Sequence, residues 1–251
     1  MNIRRVLLGL AGLLVFVVVL VAYLPASWVA ARMPASLNVA CSEINGSIWQ
    51  GECIGLTYQG ARLGDATWNM ERLAALRGRF VGDVDLRGSA MSARADLDIT
   101  FKGSGELRNV VSTMPLDHAL FPEVPANQRG MLALDLRRAV FADRQPRSFD
   151  GKIELRGLRQ EGPRPLELGS YRVEFDGRTS ADGQSVGQLH DIGGPFAVEG
   201  TVTLTPPNAY VVQGFVTGRT AEAERIVRND IALGAPPDTH GRTSFGLEGT
   251  F

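Results

Sequence analysis

Histidine, serine and lysine are the side chains in this sequence that most often do enzyme chemistry, and their spacing decides whether they can act together. The three histidines, His118, His190 and His240, lie far apart in different predicted loops, so none is at metal-ligand spacing with another ligand. The letters G-x-S-x-G occur once, at residues 183–187, but no helix is predicted to follow them as a nucleophile elbow requires, and neither Lys102 nor Lys152 completes an S-x-x-K pattern. We therefore expect surface histidines, no metal, no cofactor and no enzymatic activity.

Pairs of acidic residues could bind calcium or act as an acid and a base. Asp83 and Asp85, and then Asp96 and Asp98, are each separated by one residue and alternate with apolar side chains. A period of two is the repeat of a β-strand whose faces differ. The pattern predicts that these acids lie on the solvated face of strands rather than in a site.

The two cysteines, Cys41 and Cys53, could form a disulfide or stay as free buried thiols. Asn45-Gly46 lies between them and is a strong hairpin signal, which would bring the flanking strands together. Exact two-residue registry would place Cys41 opposite Gln50, so pairing requires a bulge, which we expect at Gly51. A zinc site is disfavoured because further cysteines and histidines are lacking nearby.

The N-terminal segment predicts a membrane anchor. Val6 to Leu24 carries no charge, and about 20 apolar residues cross a bilayer, whereas a signal peptide has an apolar region of about 7 to 15 residues. Arg4 and Arg5 precede the segment, which by the positive-inside rule keeps the N-terminus in the cytoplasm. Trp28 suits the interface on the far side. Cleavage near residues 29–31 is an open alternative.

These signals divide the chain into four parts. We expect a cytoplasmic tail over residues 1–5, a transmembrane helix over 6–24, a membrane-proximal linker over 25–36 and an exported β-rich domain over 37–251. Both cysteines then lie outside the cytoplasm, where disulfides form and persist, and this favours the disulfide over free thiols.

Alternating apolar and polar residues dominate the exported part. Strands with one polar face are typical of antiparallel sheets, because buried parallel strands are apolar throughout. We predict a mainly β fold, an elongated and twisted antiparallel sheet in one domain. The predicted strands are Phe80–Arg87, Met91–Lys102, Met131–Arg137, Lys152–Arg156, Ser170–Asp176, Phe196–Thr205, Ala209–Val216 and Thr243–Phe251.

Helical patterns are short. They cover Met70–Arg77, Leu116–Leu120 and Ala221–Leu233, the last with Thr220 as N-cap and Gly234 as the C-terminal stop. Loops are predicted at Met114–Arg129, Asp143–Arg147 and Glu161–Pro165. The single apolar face of the sheet is then either an open groove or a face covered by these helices. Net charge is only -1 with both signs interspersed, so no domain-wide basic surface is predicted that would bind nucleic acid or attract anionic lipid strongly.

One motif follows the anchor closely. Gly46-Ser47-Ile48-Trp49-Gln50-Gly51 places a large aromatic residue beside a small-residue turn, and a second tryptophan, Trp68, ends the following strand before a short M-E-R-L-A-A-L helix. This arrangement closely resembles the type II secretion system protein N family, and Gly46, Ser47, Trp49, Gly51 and Trp68 carry the resemblance. Weaker blocks continue it along the chain: Leu168–Tyr171, Asp191–Phe196, Gly200–Leu204 and Gly241–Gly249.

The resemblance implies a non-enzymatic accessory subunit of the machine that moves folded proteins from the periplasm through an outer-membrane secretin. It implies a single-pass protein of the cell inner membrane with its bulk in the periplasm. The implied partners are other secretion subunits, of the inner-membrane platform or the secretin. The family is also similar to AsmA-like proteins, which implies an alternative function: an apolar groove that binds or transports lipid or peptide.

Overall fold

The computed structural model describes residues 12, 13, 16, 19, 20, 22–32, 34, 38–122, 124–231 and 237–250, with residue 230 as backbone only. Within the predicted span Val6–Leu24, the described residues from Gly12 to Ala22 are helical. The other residues of the span, and the tail with Arg4 and Arg5, lie outside the described residues. Among the described residues, no helix has both the length and the apolar character needed to span a bilayer.

Antiparallel pairing joins the described strands into one 14-stranded sheet. The first half comprises β1 (Val39–Ala40), β2 (Glu43–Gly46), β3 (Gln50–Tyr58), β4 (Ala61–Met70), β5 (Arg79–Arg87), β6 (Ser92–Thr100) and β7 (Gly105–Leu116). The second half comprises β8 (Gln128–Ala142), β9 (Gln145–Gln160), β10 (Leu166–Thr179), β11 (Ser185–Gly193), β12 (Phe196–Thr205), β13 (Ala209–Gly218) and β14 (Thr243–Thr250). From β3 to β14 each strand pairs with its neighbour in sequence, and β1 and β2 both pair with β3.

The register keeps apolar side chains on one face across the sheet. Opposed residues point to the same side, and the pairs Val84 with Ala95, Leu134 with Ile153, and Val198 with Val216 recur along it. The residues between them are mostly charged or polar, and we call the two sides the apolar face and the polar face. The predicted mainly β, antiparallel fold with a few short helices is confirmed.

Glycines on the apolar face lie beneath large side chains of the adjacent strand. Gly51 is paired with Trp68, Gly82 with Met70, Gly187 with Phe175 and Gly249 with Tyr210. A Cβ atom at Gly187 would be 2.8 Å from Cε1 of Phe175, and one at Gly51 would be 2.5 Å from Cζ2 of Trp68. The glycines therefore let the large side chains lie over the neighbouring backbone.

The helices are α1 (Ala26–Ala30), α2 (Arg72–Ala75) and α3 (Ala221–Ile226), and α3 continues as a π-helix over Val227–Ile231. Thr220 is the N-cap of α3, as expected, because its Oγ1 accepts a hydrogen bond from the N–H of Ala223. Ala223 and Val227 pack on Phe196 and Val216 to form a buried cluster on the apolar face.

Two helix predictions need correction, and the end of a third is untested. The helix predicted over Met70–Arg77 is a single turn, α2, because Met70 still pairs with Gly82 in the sheet. The segment Leu116–Leu120 is not a helix: Leu116 ends β7, and a turn follows in which the Asp117 carboxylate accepts from the N–H groups of Ala119 and Leu120. The predicted end of the last helix at Gly234 lies outside the described residues.

All of the predicted strands are strands, but several were predicted too short, whereas the predicted Met91–Lys102 is longer than the observed β6. β8 and β9 extend well beyond the predicted Met131–Arg137 and Lys152–Arg156, because bulges near Leu136 and Arg129 shift the alternation without ending the pairing. The strands β7 and β11 were not predicted. Accordingly the loop Met114–Arg129 is shorter than predicted, β9 begins inside the predicted loop Asp143–Arg147, and Glu161–Pro165 is a loop as predicted.

Candidate interaction surfaces

The family motif residues form one structural unit at the first hairpin. The side-chain oxygen of Ser47 accepts hydrogen bonds from the N–H groups of Trp49 and Gln50, each at 3.2 Å, so Ser47 caps the loop from within. Nε1 of Trp68 donates to the carbonyl of Ser47 at 3.0 Å. Gly51 lies beneath the Trp68 ring, and Trp49 is buried. The structure therefore brings the motif together as a packing unit.

The hairpin turn differs from the sequence prediction. Asn45 pairs with Glu52 inside the ladder, and Gly46 pairs with Gly51, so the loop comprises residues 47–49 rather than Asn45-Gly46. A positive φ of 88° at Gly46 explains its residue type, because glycine adopts this conformation without strain. Asn45 instead uses its side-chain amide to donate to the carboxylates of Glu43 and Glu52.

Cys41 and Cys53 form a disulfide with a Cα–Cα distance of 5.6 Å. The bulge expected at Gly51 is wrong, since Gly51 is in regular register with Gly46. The chain is instead irregular where β1 gives way to β2, at Cys41 and Ser42, and β3 is irregular between Cys53 and Leu56. These two irregularities bring the cysteines together without a change at the turn.

Helix α1 joins the end of the predicted anchor to the hairpin. The N–H of Ile48 donates to the carbonyl of Leu24 at 3.1 Å, and Pro25 forms an isolated bridge with Ser47. Residues 25–36, predicted as a linker, thus include a helix that packs near the sheet. Trp28 is exposed, and the guanidinium of Arg32 stacks on its ring at 3.5 Å. The predicted anchor residues Arg4, Arg5 and Val6 lie outside the described part of the chain.

An apolar cleft of about 570 Å³ lies between α1 and the first strands. Ala26, Val29 and Ala30 line one side, and Ile44 and Trp68 belong to the other. The disulfide closes part of its wall. Because its lining is mostly apolar, the cleft suits a hydrocarbon chain or an apolar side chain better than a polar ligand.

The rest of the apolar face is covered unequally. The helix α3 and the π-helix pack on β13 and β14. Among the described residues, the helices make no extensive contact with β6 to β9, whereas Leu168 of β10 packs against the cluster under α3. The middle of the face is nevertheless buried at Leu136, Ala139 and Phe175, which are 5%, 2% and 5% exposed. Of the two arrangements predicted for this face, covered or open, the described chain therefore shows the covered one at the C-terminal end and a middle part that is buried without extensive helix packing.

The polar face carries a network of ion pairs. The Glu154 carboxylate is 4% exposed and lies between Arg156 and Arg172, with Nε atoms at 2.7 and 2.8 Å. Burial raises the pKa of Glu154, but the hydrogen bonds and charges of the two arginines lower it by more, so its pKa lies below its ordinary value. The same opposing effects, with Arg219 as partner, leave the pKa of Asp191 lowered.

The acids predicted to face solvent do lie on the polar face, and three of the four have partners. Asp98 pairs with Arg79, Asp85 pairs with Arg87, and Asp96 accepts a hydrogen bond from Asn109. Asp83 lies opposite Asp96 in the ladder. Cations thus partner Asp85 and Asp98, a neutral amide partners Asp96, and all four acids belong to the polar strand surface.

The histidines do not come together. His118 and His240 lie in loops as predicted, whereas His190 is within β11, opposite Glu199, on the rim of a shallow depression of about 780 Å³ on the polar face. His190 was placed in a loop because its strand was not recognised. Within the described ranges, no group of three or more His, Cys, Asp and Glu residues is arranged to hold a metal ion.

The last strand of the sheet is an edge. β14 pairs with β13, and no described strand pairs with its outer side. Natural edge strands are commonly protected by lysine, proline or bulges. β14 carries neither lysine nor proline, its register with β13 is regular, and its exposed Leu247 extends the apolar face to the border of the sheet.

The described strands thus form a single antiparallel sheet that ends in the edge strand β14. The family profile described as type II secretion system (T2SS), protein N, matches residues 37–246, and the chain belongs to that family. The resemblance predicted from the hairpin motif is confirmed. Membership assigns the chain to type II protein secretion as an accessory component.

The chain is also similar to a curated protein over nearly its whole length. It is 25% identical over 256 residues to the type II secretion system protein N of Vibrio cholerae serotype O1 (strain ATCC 39315 / El Tor Inaba N16961), covering 98% of each chain. No solved structure shows a significant match.

Proposed function

We propose that the chain is a non-enzymatic accessory subunit of a type II secretion system, held in the inner membrane by residues 6–24. Its N-terminus is cytoplasmic, and its β-domain lies in the periplasm, where it contacts other subunits of the inner-membrane platform or the secretin. Family membership supports the secretion role. The apolar segment and the disulfide support the topology, because a disulfide is stable outside the cytoplasm.

The observation that carries the subunit contact is the free edge of β14. An extended segment of a partner can add to this edge through main-chain hydrogen bonds, and alternate side chains then give specificity. Phe245 and Leu247 present apolar side chains on one face, and Ser244 and Glu248 present polar ones on the other. A partner strand with the same alternation would continue both faces of the sheet.

In vivo photocrosslinking tests this contact. A photoreactive residue at Leu247, which is 58% exposed on β14, is compared with one at Val111, which is 56% exposed in the middle of the sheet. We expect crosslinks to secretion subunits from position 247 and none from position 111. Equal crosslinking from both positions would show that the edge is not the contact.

Secretion itself provides the second test. Deleting the gene is expected to lower secretin assembly and exoprotein release, and the wild-type chain is expected to restore both. Leu247→Lys places a charge on the edge, a device by which natural edge strands avoid pairing, and is expected to restore secretion poorly. Val111→Lys is the matched control and is expected to restore it fully. Unchanged secretion in the deletion strain would contradict the proposal.

A second candidate function is the binding of a lipid acyl chain or an apolar peptide. The apolar cleft between α1 and the first strands is the observation that favours it, together with the stretch from β6 to β9 on which the described helices make no extensive contact. Extraction of the purified chain followed by mass spectrometry is expected to recover lipid above the level found with an unrelated single-span protein purified in the same detergent. Equal recovery from the two proteins would remove this candidate.

A further inference from the structure

Helix α2 and the turn beside it expose large apolar side chains at one end of the sheet. Leu73 and Leu76 are 77% and 80% exposed, and Phe80 and Phe101 are 46% and 56% exposed. A short helix normally turns its apolar residues toward the core. In α2 the two alanines are half-buried instead, and the leucines, three positions apart and so on one side of the helix, point to solvent.

These residues form one surface because two segments are joined there. The rings of Phe80 and Phe101 are 4.8 Å apart, and the N–H of Phe101 donates to the carbonyl of Gly78 at 3.0 Å. The turn between β6 and β7 is therefore attached to the segment between α2 and β5. Clustered apolar side chains of this size in solvent indicate a contact surface rather than chance exposure.

Unpaired cations surround the same residues. Arg72, Arg77, Lys102 and Arg144 are all exposed, and none forms an ion pair with any residue that the structure describes. Arg144 belongs to the group because its N–H donates to the carbonyl of Gly103 at 2.9 Å. We name the whole surface the α2 patch, and its members are Arg72, Leu73, Leu76, Arg77, Phe80, Phe101, Lys102 and Arg144.

The acids near the α2 patch are fewer than its cations. Glu71 and Asp143 are the acidic residues in these turns, and the Asp143 carboxylate accepts a hydrogen bond from the hydroxyl of Ser104 at 3.4 Å. Apolar side chains beside an excess of Arg and Lys match the two parts of an anionic bilayer surface, hydrocarbon beneath and phosphate above.

The α2 patch lies at the end of the sheet where the predicted anchor arrives. Leu24 is hydrogen-bonded to the loop between β2 and β3. That loop is followed by Gln50, which pairs with Asn69, and α2 begins only a few residues after Asn69. A membrane span that ends at Leu24 therefore places this end of the sheet, and not the opposite end, near the membrane surface.

We propose that the α2 patch is a second membrane contact, in which Leu73 and Leu76 enter the interfacial region of the bilayer while the neighbouring cations bind lipid phosphates. The contact rests on the proposed membrane location but not on the secretion role. It holds the β-domain against the bilayer in one orientation, with the apolar face and the β14 edge fixed relative to the membrane plane.

Depth-dependent fluorescence quenching of the full chain tests the contact. The chain carries an environment-sensitive dye at Leu76→Cys and is reconstituted in vesicles of phosphatidylcholine with or without phosphatidylglycerol, some lipids bearing a nitroxide quencher. The matched control is Ile192→Cys, which is 40% exposed at the opposite end of the sheet. We expect quenching at position 76, stronger with phosphatidylglycerol, and none at position 192.

Charge removal separates the lipid contact from simple proximity. The changes Arg72→Gln and Arg77→Gln are made in the chain that carries the dye at Phe101→Cys. In anionic vesicles, each change is expected to lower the ratio of chains whose α2 patch contacts the membrane to chains whose patch is free by about fivefold. In vesicles of phosphatidylcholine alone the same changes are expected to have little effect. Quenching that is unchanged by the arginine substitutions and by the lipid composition of the vesicles would overturn the proposal.

The remaining outcomes of the quenching experiment distinguish a failure of the second membrane contact from a failure of the anchor. If the chain stays in the vesicle fraction but position 76 is not quenched, the second contact is wrong while the anchor stands, and the patch is then a surface for a protein partner. If the chain does not stay with the vesicles, both the contact and the proposed membrane location fail. Secretion by the Leu76→Ser chain is scored separately, so a failure of the secretion role is distinguishable from either result.

Discussion

The indole N–H of Trp68 is hydrogen-bonded to the carbonyl of Ser47, and this contact fixes the loop of the first hairpin to the sheet. Trp68 comes from the next hairpin along the chain, so the bond links two hairpins. The same ring lies over Gly51, where any larger residue would collide with it. The loop that meets the end of the predicted anchor is thus held by a side chain of the folded domain.

Removing the indole N–H is expected to weaken this link. Trp68→Phe keeps a ring over Gly51 but leaves the Ser47 carbonyl without its donor, which is expected to cost about 1–2 kcal/mol of unfolding free energy. Urea unfolding followed by circular dichroism measures the loss. Trp28→Phe serves as the control, since Trp28 is exposed, and a change within about 0.5 kcal/mol is expected there. Equal losses in the two variants would argue against the hydrogen bond as the cause.

The glycine pair at the centre of the last strands provides a steric prediction. A Cβ atom at Gly200 would lie 2.1 Å from the carbonyl oxygen of Gln213 and 2.8 Å from Cα of Gly214, so the backbone would have to shift. Gly200→Ala is expected to cost about 1–3 kcal/mol of unfolding free energy. Gly246→Ala, on the neighbouring strand with open space around the added atom, is expected to be near neutral. A neutral Gly200→Ala would contradict the close approach of β12 and β13.

The disulfide is expected to contribute to the stability of the first hairpin. A loop closed by a sequence separation of 12 is worth about 3 kcal/mol in the chain-entropy account. The double variant Cys41→Ala with Cys53→Ala is expected to lose about that amount in urea unfolding. Dithiothreitol should lower the stability of the wild-type chain and leave the double variant unchanged. If dithiothreitol did not change the stability of the wild-type chain, the disulfide would not contribute to that stability.

Acid is expected to weaken the fold through Glu154. Its pKa is lower in the folded chain than the unfolded value of about 4.3, so the carboxylate contributes stability above that pH and loses it as the pH falls toward the folded pKa. Glu154→Gln is expected to be less stable at neutral pH and to show a flatter decline below about pH 5. Thermal unfolding across this range measures both effects.

Glu174→Gln is the matched control for the loss of stability at acidic pH. Glu174 also approaches Arg172, but its side chain is 52% exposed and the ion-pair distance is 3.5 Å, so its removal is expected to change stability little. If Glu174→Gln flattened the profile as much as Glu154→Gln, burial between two arginines would not be the origin of the acid sensitivity.

Most of the sheet could be predicted because alternation is a local signal. β12, Phe196–Thr205, was predicted with its observed bounds, since four apolar side chains share one face despite Gly200. β11 was not predicted, because Ser185 and Gly187 take the place of apolar side chains on its apolar face. Gly187 is explained by Val173 and Phe175 of the adjacent strand, which would lie 2.5 and 2.8 Å from an added Cβ atom.

The first hairpin likewise depends on a contact with a residue outside it, which local sequence patterns do not reveal. The motif around Trp49 identified the family, but the turn position was wrong, because Asn45-Gly46 is a strong local signal for a two-residue turn. The observed loop is set by Ser47, which caps residues 49 and 50, and by Trp68, which binds Ser47 from another hairpin. The α2 patch could not be predicted from the sequence either, because the exposure of Leu73 and Leu76 depends on how α2 packs against the sheet.

The strand order also has a consequence for how the chain folds. From β3 onward each strand pairs with the strand just before it in sequence, so these pairings need no crossover past another strand. A chain that folds from its N-terminus can therefore add strands one at a time to a growing edge, in the manner of a repeat array. In that order of assembly β14 is the last of a series of edges, each of which is able to bind the segment that follows it.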